Sequence, residues 1–404
     1  MRGDFWKFWA GETVSSFGNS ITLFGLPLLV FQLSGSAVSL GITFALFGLP
    51  HLLFGLLIGA WVDRVDRKRV MIVVDILSAI IVAAVPAGAA LGVLSIGLIY
   101  AVAFLSATLS IFFQAAQFAA IPSLVDRAEL VAANGRIQAS FSAATVAGPL
   151  LAGALLVFVP LERLLLIDSA TFLVSAVMLA LIARRFDTGP RAVASSLRAD
   201  VAEGLRYVLR HPVLRSISVM MALINFVGVT AYAQLVLLAK QRFGASDAEI
   251  ALLFAADGAG VVLLSLAAGP LRRRWSFANV ALGALMLNGL LTIALAYAPV
   301  YPAAVVLAAL ASGLGILFNI NSGSLRQAIV PQHMLGRIIT IAMVLAWSAN
   351  PLGATLGGIV VERVGDVSSV YAVIGGAIFL IALWFRLFSP LRDAEAHLPP
   401  RAAR

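Results

Sequence analysis

Gly59-Ala60-Trp61-Val62-Asp63-Arg64-Val65-Asp66-Arg67-Lys68-Arg69 carries six charges in eleven residues and separates two long apolar runs, 37–62 and 70–92. Within those runs the ionisable residues are His51 and Asp75 alone. Each run exceeds the roughly 20 apolar residues that a bilayer-crossing helix needs. A water-exposed helix of that length would carry a polar face, and neither run has one. The flanks therefore read as transmembrane helices and the charged segment as the aqueous loop between them. Its excess of Lys and Arg marks the cytoplasmic side.

The same reading extends outward. Of the 404 residues, 61% are hydrophobic and 12% charged, against about 45–50% and about 25% in a soluble domain. So little charge cannot clothe a water-facing surface, which excludes a soluble enzyme. Apolar runs fall at about 8–32, 37–62, 70–92, 94–120, 138–159, 161–184, 214–239, 246–271, 276–298, 300–324, 336–361 and 367–388. The breaks at 91–94 and 298–302 are thin, so charge placement has to test the count. With twelve spans, one side holds both tails and the even-numbered connections, and 24 of the 28 Lys and Arg fall there. Arg163, Lys240, Arg242 and Arg363 occupy the other side. A wrong count would scramble that alternation, so the expectation is an all-α membrane protein of twelve spans with both termini in the cytoplasm.

The net charge of +9 then reports topology and gives no reason to expect a nucleic-acid partner. Cysteine is absent, which excludes disulfides and thiolate sites. The four histidines are scattered, without metal-ligand spacing, so neither a metal nor a cofactor is expected. Phe5-Trp6-Lys7-Phe8 runs into the first apolar segment without a cleavage signal, and the first helix is expected to stay.

Four parts are expected: a six-helix half at 1–184, a cytoplasmic linker at 185–213, a second six-helix half at 214–389 and a tail at 390–404. In the linker, Leu197, Val201, Leu205 and Val208-Leu209 recur at helical spacing against Arg198, Asp200, Glu203, Arg206 and Arg210. This predicts an amphipathic helix on the inner membrane surface, basic face towards the headgroups, ended by His211-Pro212. The halves echo each other. Gly135-Arg136-Ile137 precedes Pro149 and Gly153, as Gly336-Arg337-Ile338 precedes Pro351 and Gly357-Gly358, and Gly35 corresponds to Gly244. Six spans per half keep the orientation, so the halves form a parallel repeat about a pseudo-twofold axis along the membrane normal, an arrangement that places a substrate site at midplane.

The 59–69 loop resembles the motif of the major facilitator superfamily: a glycine, three intervening residues, Asp-Arg and a basic cluster. Asp66 stands where that family usually has glycine. Physically, Gly59 lets a neighbouring helix approach. Asp63 at a helix end can cap another helix or pair with a cation, so Gly59, Asp63, Arg64, Arg67, Lys68 and Arg69 are read as a conformational latch. Phe5-Trp6-Lys7-Phe8-Trp9-Ala10-Gly11-Glu12, the stretch Leu26–Ser36, Glu203-Gly204-Leu205-Arg206-Tyr207 and Leu325-Arg326-Gln327 with Leu335-Gly336-Arg337 resemble the bacterial enterobactin-exporter and macrolide-efflux branch over nearly the full length. That resemblance implies a monomeric inner-membrane secondary transporter alternating between inward- and outward-open states, exporting small organic compounds against protons. Span 5, with Gly148, Pro149 and Gly153, is similar to the antiporter motif with alanine at two of its four glycine positions; Gly148-Pro149 removes a backbone bond and kinks or loosens the helix. Span 4 has no basic residue where many proton-driven relatives carry arginine, so their coupling mechanism does not transfer.

A charge at the bilayer centre costs about 2.5–3.5 kcal/mol on insertion scales, which makes ionisable residues there functional candidates. Asp257 lies 11 residues into span 8, about 16 Å along its axis, beside Gly258 and Gly260, which would admit another helix. Asp257, Glu12 and His51 are the proton-coupling candidates. Asp75 and Asp168, nearer helix ends, read as structural. In this family spans 1, 4, 7 and 10 surround the central cavity, which nominates Asn19, Gln114, Gln117, Asn225, Tyr232, Gln234, Asn319 and Asn321. An apolar cavity with scattered amides suits an uncharged or amphiphilic organic molecule. Siderophore export and lipid flipping are the alternatives within transport. A non-transporting sensor is the alternative outside it, although only 14 residues follow Pro390.

Overall fold

Lipid offers backbone N–H and C=O groups no partners, so the apolar runs must satisfy them internally, and helices do so. The computed structural model describes residues 3–62, 65–126, 129–184, 186, 197–330 and 335–397. Among them are fifteen α-helices: α1 Gly3–Ser34, α2 Ala37–Val62, α3 Arg67–Ala90, α4 Ile96–Leu124, α5 Leu130–Leu155, α6 Leu161–Ala180, α7 Leu197–Arg210, α8 Pro212–Ala233, α9 Leu235–Phe243, α10 Asp247–Arg274, α11 Gly283–Ala296, α12 Tyr301–Ile329, α13 Leu335–Trp347, α14 Ala349–Val364 and α15 Val367–Phe388. Twelve of the described helical stretches are long and apolar enough to cross a bilayer. The count drawn from the charge alternation therefore holds. Large apolar side chains face outward, with Leu266 74% and Phe388 71% exposed, as a lipid-facing surface requires.

Two spans expected to be continuous are broken. Span 7 divides at Gln234 into α8 and α9, and span 11 divides at Ser348 into α13 and α14. The second break has a covalent cause: Pro351 has no N–H for the carbonyl of Trp347, and its ring crowds that carbonyl. Span 9 opens with a π-helical turn, Ala278–Leu282. Span 5, by contrast, runs unbroken through Gly148-Pro149 as α5. Gly35 and Gly244, paired in the repeat, both adopt φ near +60° and close α1 and α9. Residues with a Cβ rarely take that conformation.

The chain forms two compact units, Met1–Ala192 with Ala245–Ala255, and Val193–Gly244 with Ala256–Arg404. In the first, α1 packs along α5 and α6, and α3 along α4 and α6. Small residues set these crossings. A methyl group at Gly148 would lie 2.4 Å from Ser20 Cβ, and one at Gly153 would lie 2.6 Å from Ala251 Cβ. Cations gather at the C-terminal end of α6, where unpaired carbonyls and the helix dipole favour them. Lys7 Nζ donates to Leu181 O at 2.9 Å, and Lys68 Nζ to Ile182 O at 2.6 Å.

In the second unit α8 packs on α14 and α15, and α11 on α12 and α15. The α7 helix belongs here. Its Val208 is buried in the core with Leu214 and Ile217, and Leu205 and Tyr207 pack against it. The apolar stripe of the predicted amphipathic helix is thus partly covered by protein. Asp366 caps α15 through the Ser368 and Ser369 N–H groups, each at 3.0 Å. The Ser369 hydroxyl, then its N–H, hold the exposed carboxyl below its ordinary value of 3.8. That cap is intact at neutral pH and is lost as pH falls through the carboxyl's range.

The described end of the tail, Pro390–His397, folds back as a 3₁₀ segment with Leu391 and Ala394 fully buried. Glu395 accepts from Phe277 N at 2.5 Å and pairs with Arg272 at 3.1 Å. Glu395→Ala is expected to cost about 1 kcal/mol, the usual net value of such a bond. Glu395→Gln, which keeps the acceptor, is expected to cost less. Thermal unfolding of the detergent-solubilised protein reads the difference.

Candidate functional site

The second unit holds a cavity of about 370 Å³ lined by α8, α9, α10, α11, α12, α14 and α15. Asp257 stands on its wall, one turn before Gly260, and accepts a hydrogen bond from the Ser312 hydroxyl of α12. Around it are Asn225, Tyr232, Asn288, Asn319, Asn350 and Tyr371. No Lys, Arg or His is among the described lining residues. The rest of the wall is mainly aliphatic side chains, alanine and glycine, with Phe318.

Local backbone explains why these groups are available. The break at Gln234 leaves carbonyls at the end of α8 without intrahelical partners, and the Tyr371 hydroxyl donates to one of them, Ala231 O. The amides are anchored to neighbouring helices: Asn225 Nδ2 donates to Ala346 O at 2.9 Å and Asn288 Nδ2 to Ala311 O at 2.6 Å. Asn350, beside the break in span 11, lines the cavity with its buried Oδ1 lacking a protein donor. A membrane interior tolerates irregular backbone only where it is buried in protein or lines a water-filled cavity.

Four nominated residues therefore converge here: Asp257, Asn225, Tyr232 and Asn319. Two neighbours of theirs do not line the cavity. Gln234 is fully buried at the α8–α9 break. Asn321 is buried and turned back onto its own helix, donating to Leu317 O at 2.7 Å. Asn288, Ser312, Asn350 and Tyr371 were not nominated. Asn350-Pro351, a polar residue before proline within an apolar span, was the available signal.

The remaining candidates belong to the first unit. Gln117 hydrogen-bonds Glu12, while Gln114 is exposed and Asn19 approaches Ser15 Oγ at 3.5 Å on its own helix. His51, half-buried on α2, bonds the Phe47 backbone. Asp168 is fully buried and accepts from the hydroxyls of Thr22 and Thr171, which fits the structural role expected for it. Of the latch motif, Asp63 and Arg64 lie outside the described residues, and Gly59 lies in the last turns of α2. Arg67 begins α3. Asp66 caps that helix through Arg69 N at 3.2 Å and pairs with the Arg69 side chain at 3.5 Å. With Lys68 on the end of α6, the described contacts of this loop fall within the first unit.

Comparison with known proteins now bears on this architecture. The sequence matches the family described as transmembrane secretion effector over residues 2–403. The chain belongs to that family of major facilitator transporters. Among its relatives, the multidrug efflux pump Tap of Mycolicibacterium fortuitum is 29% identical over 86% of this chain and 87% of its own. Macrolide efflux protein A of Streptococcus pyogenes is 22% identical over 97% of each. The fold is shared with a bacterial homologue of the human lysosomal transporter Spinster, in an inward-facing, unoccupied conformation, at a TM-score of 0.75 and 16% identity over 99% of this chain and 98% of the other. The nucleoside transporter NupG gives 0.77 and 15% over 95% and 98%. The protein is an efflux transporter of the major facilitator type and not an enzyme, as the resemblance implied.

Proposed function

We propose that this family member exports small, largely hydrophobic organic compounds by alternating access, driven by proton antiport, with Asp257 as the proton carrier. The observation that carries this reading is the position of Asp257, a carboxylate on the wall of an otherwise uncharged cavity. A hydroxyl donor and four amides surround it, and no described lining cation neutralises it. The amides and tyrosines offer hydrogen bonds to a neutral or amphiphilic compound, while the apolar wall supplies contact area. The efflux of drugs and macrolides named for the relatives supports the same substrate range. The transporter works as a monomer in the plasma membrane with both termini cytoplasmic, which the distribution of Lys and Arg supports. Gly59, Asp63, Arg64, Arg67, Lys68 and Arg69 serve as its conformational latch, and Gly148, Pro149 and Gly153 shape span 5.

Inverted membrane vesicles with an acidified interior test the proposal against a panel of macrolides and other amphiphiles. The expected result is compound accumulation that collapses when a protonophore dissipates the gradient, accompanied by compound-dependent proton efflux. Accumulation without any proton movement would reject antiport and leave efflux standing.

A further inference from the structure

Arg326 stands in the last turn of α12 and is only 7% exposed. Its Nη2 lies 2.9 Å from Met221 Sδ of α8, and its Nε is buried without a protein partner. Thioether sulfur is a weak acceptor. A buried cation normally has a carboxylate beside it, because burial strips its hydration. Among the described side chains of the second unit no acid plays that part. Asp257 is held by Ser312, Glu395 pairs with Arg272 and Asp366 caps α15, while Glu203, Glu362 and Asp393 are exposed.

Two hydroxyls share this place. A helical side chain leans back over the turn before it. The Arg326 guanidinium therefore lies over the turn of Ser322, four residues earlier, and Met221 Sδ over the turn of Ser218, three residues earlier. Both serines are buried, Ser322 fully, and neither Oγ has a partner. Ser324, by contrast, turns its hydroxyl back to Ile320 O at 2.9 Å. The other neighbours are apolar, with Ile217, Met221, Phe318 and Leu325 in one buried cluster.

The internal repeat accounts for the unpaired charge. Counting back equally from the helix ends Gly35 and Gly244 brings Glu12 of α1 onto Met221 of α8. The same shift brings Gln117 of α4 onto Arg326 of α12. The Glu12–Gln117 hydrogen bond of the first unit thus has the Met221–Arg326 contact as its counterpart. Where the first unit places a carboxylate, the second offers its arginine an uncharged sulfur.

We infer that Arg326, Ser218 and Ser322 form a binding site in the second unit for one small inorganic monoanion of the chloride class. A guanidinium N–H and two hydroxyls are all donors. Three donors in an apolar wall suit a halide, whereas a phosphate needs more charge-assisted bonds than they supply. The bound anion neutralises the arginine and ties α12 to α8. This site is separate from Asp257 and independent of proton coupling.

Thermal unfolding of the purified full-length protein in detergent tests the site without a transport substrate, with sodium chloride exchanged for sodium gluconate at constant ionic strength. The wild type is expected to melt higher in chloride, with a gain that grows as the logarithm of chloride concentration once binding sets in. Arg326→Gln, which installs the amide of Gln117, should fold and melt at the same temperature in both salts. Ser322→Ala should raise the chloride concentration at which the gain begins by about tenfold, the weight of a hydrogen bond to a charged group. Met221→Glu supplies the carboxylate that Glu12 provides in the first unit. It should remove the chloride dependence and melt higher than the wild type in gluconate. Equal melting of the wild type in the two salts would overturn the site, as would a chloride gain that survives in Arg326→Gln or in Met221→Glu.

Discussion

Asp257→Asn is expected to abolish gradient-driven accumulation in inverted vesicles, a fall of at least about tenfold or about 1.4 kcal/mol, while the protein still folds. Asparagine has nearly the volume of aspartate, and its carbonyl can accept the Ser312 hydroxyl bond that Asp257 accepts. The substitution removes the carboxyl's capacity to bind and release a proton and little else. The packing of α10 against α12 should therefore survive, with thermal unfolding close to wild type. Ser312→Ala is the complementary variant: it keeps the carboxyl and should keep gradient-driven transport, with an altered pH profile. If Asp257→Asn accumulated compounds with unchanged dependence on the gradient at every pH, the proton-carrier role would be lost. If it lost accumulation by unfolding, its melting curve would say so.

The sequence revealed the fold through charge and revealed the site only in part, for a physical reason. Lys and Arg sort by side of the membrane, so their alternation counts spans even where Leu91-Gly92-Val93-Leu94 barely interrupts two of them. Gly35 and Gly244 were legible because a left-handed helix end selects glycine. Facing direction was not legible. A helix surrounded by lipid and other apolar helices is hydrophobic all round, so nothing in the pattern of α12 tells which edge meets the cavity. Asn319 and Asn321 illustrate the cost: two residues apart is about 200° around a helix at 3.6 residues per turn, so both could not line one wall. Asn319 does, and Asn321 turns to its own backbone. The break at Gln234 was equally hidden, since no proline or glycine marks it. The break at Ser348 was foreshadowed by Pro351, as were the cavity-facing Asn350 and the unpaired Oδ1 it carries.

Asp75 and Asp168 show a different limit of the sequence. Their places near helix ends suggested satisfied structural acids, and that description fits Asp168, whose carboxyl collects two hydroxyl donors. The two aspartates look alike in sequence. Three-dimensional packing alone distinguishes them: Thr22 of α1 reaches Asp168, whereas Asp75 keeps a buried Oδ2 without a donor.

The second large effect concerns the helix contact that carries Asp257. A methyl group at Gly260 would lie 1.8 Å from Ala309 O, and one at Gly313 would lie 2.5 Å from Gly260 O. Backbone meets backbone at both positions, so no flexible side chain can move aside. Gly260 is one turn beyond Asp257, and Gly313 follows Ser312, so this crossing also sets the distance across which the hydroxyl reaches the carboxyl. Gly260→Ala must push α10 from α12. Over-packing of a well-packed site costs about 1–3 kcal/mol, and a backbone clash belongs at the upper end or beyond. The expected result is a sharp fall in monodisperse protein recovered from membranes, with any surviving fraction unable to couple transport to the gradient. Gly376→Ala on α15, where a Cβ meets nothing within 4 Å, is the matched control and should lose neither yield nor activity. Its helix-propensity term is favourable by up to about 1 kcal/mol. Equal yield, melting behaviour and transport for Gly260→Ala and wild type would mean that the α10–α12 crossing is looser than this geometry requires, and that Ser312 does not owe its place beside Asp257 to it.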